Sequence, residues 1–269
     1  MAGTLLLIFN YPYQEFNSFL YTESFFYSLT LILGCYLIRI KTLTARNLTL
    51  TILLATLLCF TRPTGLLFLP PTFLYLLLVW NKNKNAFPRT ALLAALTIGF
   101  LLLLDKALNG GGELDLMLPF RDEQIICGVP TLPGPVPIRT AANGNSLYGL
   151  LYYTLHNPAQ FIRLAALKTL AFFGLWRSYY STGHNACLII YFQSIHLAAL
   201  AGIGYMIKRL TPAFWLSFAF IMLTWLTVML TCDDWHNRFY LAISPFIILL
   251  AMPAIQRLFI LRNARSKVT

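Results

Sequence analysis

Residues 212–258 read PAFWLSFAFIMLTWLTVMLT, then CDDWHN, then RFYLAISPFIILLAMPAIQRL. The first run, 212–231, carries no charged side chain, and the second carries none from Phe239 to Gln256. About 20 consecutive apolar residues, rising 1.5 Å each, cross the roughly 30 Å hydrocarbon core of a bilayer. The two runs therefore read as membrane-spanning helices, joined by a short polar turn that holds Asp233 and Asp234.

The rest of the chain extends this pattern. Of 269 residues 58% are hydrophobic and 11% charged, against roughly 25% charged in a soluble domain. That leaves too little polar surface to cover a water-soluble core. Further apolar stretches run at about 24–40, 47–60, 65–80, 90–107 and 187–206. The expected fold is an all-α integral membrane protein with about seven transmembrane helices and one long external loop carrying interfacial helices. The expected organisation is a single polytopic domain over 1–269: N-terminal spans at 1–107, the external segment at 108–186 and C-terminal spans at 187–269. The 47–60 and 65–80 stretches are short, and Thr61-Arg62-Pro63-Thr64-Gly65 between them is a turn signal. Pro70-Pro71 should kink the second of them.

Charge placement tests the number of crossings. Seven spans put Arg39, Lys41, Arg46, Lys82, Lys84, Arg89, Lys208, Arg209, Arg257, Arg262, Arg265 and Lys267 on one side, with no acid among them. All nine acids fall on the other. An excess of Lys and Arg marks the cytoplasmic side, so the C-terminus is expected in the cytoplasm, and in a bacterium the membrane is the plasma (inner) membrane. The net charge of +11 is spent on orientation, with no continuous basic face for nucleic acid.

The segment 108–186 is then external. Its Gly- and Pro-rich first part, from Asn109 to Pro137, reads as an ordered loop. Asn157-Pro158 reads as a helix start, with a capping side chain and Pro at the first helical position. The helix expected over about 158–180 carries Arg163, Lys168 and Arg177, which do not share one face, and is read as lying along or dipping into the outer interface. At the other end of the chain, residues 1–10, with the apolar run Leu5–Phe9, make about half a span. No basic region precedes it and no small-residue cleavage site follows, so it is not a signal peptide. It reads as a short interfacial helix or as the tail of a helix whose earlier part lies upstream.

Five cysteines lack metal-ligand spacing, and no metal or other cofactor is expected; a divalent cation is not indicated. Cys127, Cys187 and Cys232 lie where a disulfide is allowed, Cys127–Cys232 being one pairing. The Asn47-Leu48-Thr49 sequon falls on the cytoplasmic side and should go unused.

Polar groups at the outer ends of spans are costly near hydrocarbon and are functional candidates by default. Four places qualify: Tyr21-Thr22-Glu23, Arg62-Pro63-Thr64-Gly65, Lys168, and Asp233-Asp234-Trp235-His236-Asn237-Arg238. Cations and carboxylates at one membrane face suit the holding of an anionic lipid phosphate while chemistry proceeds at its head group. Each also has a plainer role: Glu23 at a helix N-terminus, Arg62 on turn carbonyls, Lys168 snorkelling, Arg238 as an interfacial anchor, and Asp233, Asp234 and His236 as an ordinary polar loop.

Tyr21 to Phe26 followed by Thr61-Arg62-Pro63-Thr64-Gly65 resembles the middle of the GT-C superfamily, multi-pass glycosyltransferases that use polyprenyl-phosphate sugars, among them the protein and GPI mannosyltransferases and the aminoarabinose transferases. Asn157-Pro158 with Phe161 to Lys168 resembles the external helix of those proteins. His236-Asn237-Arg238-Phe239-Tyr240 with Pro245 resembles a late segment of theirs. The resemblance implies transfer of a sugar from a polyprenyl phosphate to an acceptor on the non-cytoplasmic face. Arg62, Lys168 and Arg238 would bind the lipid phosphate, and if the chain is complete Glu23, Asp233 or Asp234 would have to serve as the catalytic base. The family's base carboxylate lies in a first external loop upstream of everything matched here. The chain is therefore expected to correspond to the C-terminal part of such an enzyme, with a partner subunit supplying the missing N-terminal spans. The lipid bilayer and a polyprenyl-phosphate sugar are the other expected partners. Two further classes stay open: a non-catalytic subunit or remnant that binds a lipid-linked glycan, and a transporter or flippase, disfavoured because no acid sits at mid-membrane.

Cysteines introduced at 81–90 should be protected from an impermeant thiol reagent in intact cells, and cysteines at 110–120 should be labelled. Labelling at both places would sink the seven-span arrangement.

Overall fold

The computed structural model describes residues 2–15, 22–42, 44–80, 117–129, 138–141, 144–207 and 211–265, with scattered positions between 91 and 106. The expected span at 90–107 falls largely outside the described residues, and the basic loop at 81–90, Tyr21 and most of the Gly- and Pro-rich loop fall wholly outside them. Among the described residues the regular structure is helical, apart from an isolated bridge between Ile126 and Asp233. Thr182–Met206, Ala213–Leu230 and Arg238–Phe259 are long and apolar enough to cross a membrane, while Ala45–Thr61 and Thr64–Leu77 are apolar but shorter. The chain folds as two compact units, one of Met1–Lys84, Ser181–Leu223 and Tyr240–Thr269, the other of Asn85–Tyr180 and Thr224–Phe239.

The first unit holds most of the span-like helices. Thr22–Arg39 carries Glu23 in its first turn and Arg39 in its last, each sign where the helix dipole favours it. Ala45–Thr61 starts at Thr44, whose hydroxyl accepts from the Asn47 N–H at 3.2 Å. The Asn47 amide of the sequon is itself engaged, donating to the Thr42 carbonyl and accepting from the Tyr36 hydroxyl. The helix stops at Arg62, and the chain continues as a 3-10 helix over Pro63–Phe68 before the α-helix Leu69–Trp80. Pro70 and Pro71 thus fall in the first turn of an α-helix, where the missing N–H groups cost nothing; in place of the kink expected at Pro70-Pro71, the helix type changes just before them. Gly65 is fixed by space, since a Cβ there would lie 2.4 Å from the Leu58 carbonyl oxygen.

A run of rings, Phe26, Phe68, Phe220 and Phe246, links four helical segments with centroids 5.9, 4.7 and 4.7 Å apart in turn. The first residues join this packing. Ala2–Ile8 and Tyr11–Glu15 are helical, Asn10 is fully buried, and its amide donates to Ser244. Gly34 faces Phe246 so closely that a Cβ would sit 2.6 Å from its ring. Gly202 lets the backbone of Thr182–Met206 approach that of Arg238–Arg265: a Cβ at this position would lie 1.9 Å from the Leu250 carbonyl oxygen. Small residues at helix crossings are what membrane helices use to pack closely.

The second unit is built on Pro158–Gly174, the external helix expected from Asn157-Pro158. Two expectations for it are corrected. Asn157 makes no side-chain cap; its amide bonds with the Arg139 backbone in both directions and donates to the Tyr153 carbonyl, which ties the chain before Leu147–His156 to the helix start. The helix also ends at Gly174 and not near 180, because Leu175 turns into the left-handed region at φ 60°. Met117, Phe120, Tyr153 and Leu164 form the unit's core, with Ile138, Leu150 and Phe161 against it. Cys127 and Cys232 are disulfide-bonded with Cα atoms 5.1 Å apart.

Gly202→Ala should destabilise the protein by about 1–3 kcal/mol, the cost of overpacking a tight contact. Gly204→Ala, which meets nothing within 4 Å, should leave the melting temperature in detergent unchanged. Equal melting of the two variants would show that this helix crossing is not close-packed.

Candidate functional site

The polar groups of the second unit gather on the connection 231–238. Its backbone is held first: the Asp233 N–H donates to the Ile125 carbonyl, the Cys127 N–H donates to the Asp233 carbonyl, and the disulfide lies next to both. Asp233 itself has no exposed surface. Its carboxylate accepts from Arg177 at 2.5 Å and from the Asp234 N–H at 2.8 Å. Burial pushes this carboxyl up to about 6, against the pull of the Arg177 guanidinium and of the two hydrogen bonds. Arg177 is equally buried, and its other terminal nitrogen donates to the Ala171 and Trp176 carbonyls at the end of Pro158–Gly174. One guanidinium thereby caps a helix and anchors Asp233.

Asp234 is half-buried, and its carboxylate accepts from the Trp235 N–H at 2.6 Å. Asn237 is buried in a left-handed turn at φ 57°, which ends the connection, and Arg238 opens the helix Arg238–Arg265. Trp235 and His236 are exposed.

Lys168 reaches the same connection from the middle of Pro158–Gly174. It is fully buried, its ammonium donates to the Thr231 carbonyl, and it lies over the Phe120 ring at 4.4 Å from the centroid. Among the described residues no carboxylate forms an ion pair with it. Burial lowers its pKa to about 8. The nearby Glu123, buried and at φ 47°, is instead paired with Arg163 and Gln160.

In the first unit Glu23 and Arg62 form their own pair at 2.7 Å, with Glu23 nearly fully buried. Of the residues expected from sequence, Lys168, Asp233, Asp234 and Arg238 thus belong to one unit, Glu23 and Arg62 to the other. Arg177 was missed as a partner of Asp233. Its signal was present: a charge that fits no shared face with Arg163 and Lys168 fits better beyond the helix, after Gly174. Among the described residues no group of three or more His, Cys, Asp or Glu is placed to hold a metal ion.

Compared with protein-family models, with curated proteins and with solved structures, the chain finds no match in any of the three.

Folding lowers the pKa of Lys168 from 10.5 to about 8, so the folded chain holds that proton less tightly than the unfolded chain does. Its stability should rise as pH climbs through this window, by about 3 kcal/mol at one pKa unit per roughly 1.4 kcal/mol. In Lys168→Met the rise should vanish when unfolding is compared with the wild type from pH 7.5 to 10. Parallel curves would mean that the ammonium is not buried.

Proposed function

We propose that the chain is a membrane glycosyltransferase-like protein that handles a polyprenyl-phosphate sugar at the non-cytoplasmic face. It crosses the membrane about seven times, with 108–186 outside and the C-terminus in the cytoplasm; in a bacterium this is the plasma membrane. The observation that carries the reading is Lys168. A buried ammonium held by a carbonyl and a ring, and in no ion pair among the described residues, sits on the same short connection as Asp233 and Asp234. A desolvated cation is costly until an anion compensates it. A lipid phosphate supplies that charge, and the flexible lysine stem lets the ammonium exchange the Thr231 carbonyl for a phosphate oxygen. Arg238 stands at the other end of the connection, as the second cation for the carrier.

The roles of the carboxylates then divide. Asp233 is spent on Arg177 and positions the connection. Asp234, half-buried on the same turn, is the candidate base that would take the proton of the acceptor hydroxyl as the carrier phosphate leaves. Glu23 serves the first unit as the partner of Arg62. A second reading, a non-catalytic protein that binds a lipid-linked glycan, is favoured by one fact: two of the three candidate carboxylates, Glu23 and Asp233, are already in ion pairs. No metal or other cofactor is part of either reading. A partner subunit that adds further spans fits both.

Purified protein in nanodiscs should bind polyprenyl phosphate at least tenfold more tightly than the uncharged polyprenol, since a charge-assisted contact is worth roughly 1.5–3 kcal/mol. Lys168→Met should remove most of that difference. Asp234→Asn should keep carrier binding and lower sugar transfer about 10²–10⁴-fold. Equal affinity for phosphate and alcohol would sink the carrier reading. Carrier binding without transfer by the wild type would favour the binding protein.

A further inference from the structure

Beside Asp234 the second unit presents a group of rings that the proposed chemistry does not use. Tyr179 and Trp235 are 42% and 44% exposed, with centroids 5.5 Å apart and planes 34° apart. His236 stacks on Tyr180 at 6.1 Å and 25° and meets Tyr179 edge-on. The rings are fixed by their polar atoms. The Trp235 indole N–H donates to the Cys127 carbonyl at 2.8 Å, the Tyr179 hydroxyl donates to the Trp235 carbonyl at 2.7 Å, and the Tyr180 hydroxyl meets His236 Nδ1 at 3.1 Å. Cys127 is also bonded through sulfur to Cys232, so the Trp235 ring is held by a covalently braced residue.

Aromatic anchors of a membrane interface keep the apolar body in lipid and the polar tip free for head groups and water. Here the tips of Trp235 and Tyr179 are turned to backbone carbonyls, while much of each ring stays exposed. Rigid aromatic faces beside a few polar groups make a ligand site whose ordering cost is met in advance. A pyranose ring matches both halves of this arrangement. Its face of C–H bonds packs on an aromatic face, and its hydroxyls donate to a carboxylate such as Asp234.

We propose that Tyr179, Trp235 and His236 form a stacking platform for a hexopyranose ring of the glycan, with Asp234 accepting from its hydroxyls. The inference rests on the reading of 231–238 as the segment that handles a polyprenyl-phosphate sugar, and it adds to that reading the subsite that recognises the sugar itself.

The test is saturation-transfer NMR with methyl glycosides of glucose, galactose and mannose. The protein is held in lipid nanodiscs prepared without glycoside detergent, and binding of sugar-free polyprenyl phosphate is measured in parallel. The wild type should transfer saturation to the ring C–H protons of at least one glycoside. Trp235→Phe, which keeps a ring and loses the N–H, should retain most of the signal. Trp235→Leu should weaken glycoside binding about tenfold, the scale of one aromatic contact, and Asp234→Asn should weaken it with every ring in place. Polyprenyl phosphate binding should be the same in all four proteins. No glycoside signal in the wild type, or equal signals in Trp235→Leu and the wild type, overturns the platform and leaves the rings as interface anchors. If Trp235→Leu does not fold, Asp234→Asn decides: an undiminished signal there overturns the proposal. Loss of polyprenyl phosphate binding with the glycoside signal intact would sink the carrier reading and spare the platform.

Discussion

Arg177 and Asp233 are removed from solvent together, and the second unit is arranged so that neither is left alone. Removing one member of a buried pair leaves an uncompensated charge and costs about 3–5 kcal/mol, so every neighbour of this pair is constrained by it. Arg177 must leave the helix to meet Asp233, which the left-handed Leu175 permits. Asp233 must face inward, which its two backbone bonds to Ile125 and Cys127 enforce. The Cys127–Cys232 bridge closes a separation of 105 residues and restricts the unfolded chain by roughly 4–5 kcal/mol of loop entropy. Ion pair, bridge and disulfide all converge on 125–127 and 232–233. Two exposed features follow from this one anchor: a half-buried Asp234 and a fixed Trp235.

The first unit meets its polar demands differently. In an apolar surround backbone groups must be satisfied within the helix, and several hydroxyls there follow the same course. Thr30, Thr51 and Ser217 each donate to the carbonyl four residues earlier. Longer-range polar contacts there include Asn10 with Ser244 and Glu23 with Arg62. Close packing then comes from shape: Gly34 under the Phe246 ring and Gly202 against the Leu250 carbonyl bring helices nearer than any side chain would allow.

What was legible in the sequence follows from what is local. Helix positions, the break at Thr61–Gly65 and the start at Pro158 depend on near neighbours and on hydropathy; among the described residues helices cover the apolar stretches at 24–40, 47–60, 65–80, 187–206, 212–231 and 239–258, one helix stops at Arg62 and another starts at Pro158. The cap at Asn157 misled because the same amide had a better use, closing a distant strand of chain at Arg139. The ion pair of Arg177 with Asp233 and the disulfide join residues 56 and 105 positions apart, and no periodicity encodes such pairings. Lys168 stands out in the sequence because a charge mid-helix is conspicuous. Its place on the Thr231 carbonyl, and hence on the segment that holds the acids, depends on tertiary packing alone.

That packing separates two kinds of carboxylate that look alike in the sequence. Asp233 and Asp234 are adjacent, yet one is fully enclosed and the other half open. A base must reach the proton that it takes, which Asp233 cannot do without abandoning Arg177 in a buried site. A positioning group must not move, and an open Asp234 would serve poorly as one. The alternation along the turn assigns the inner acid to structure and leaves the outer one available to a ligand. Neutralising Asp233 should therefore cost folding stability, whereas neutralising Asp234 should leave it nearly unchanged. The short distance in sequence between them is what lets one buried ion pair fix the turn on which the half-open carboxylate stands.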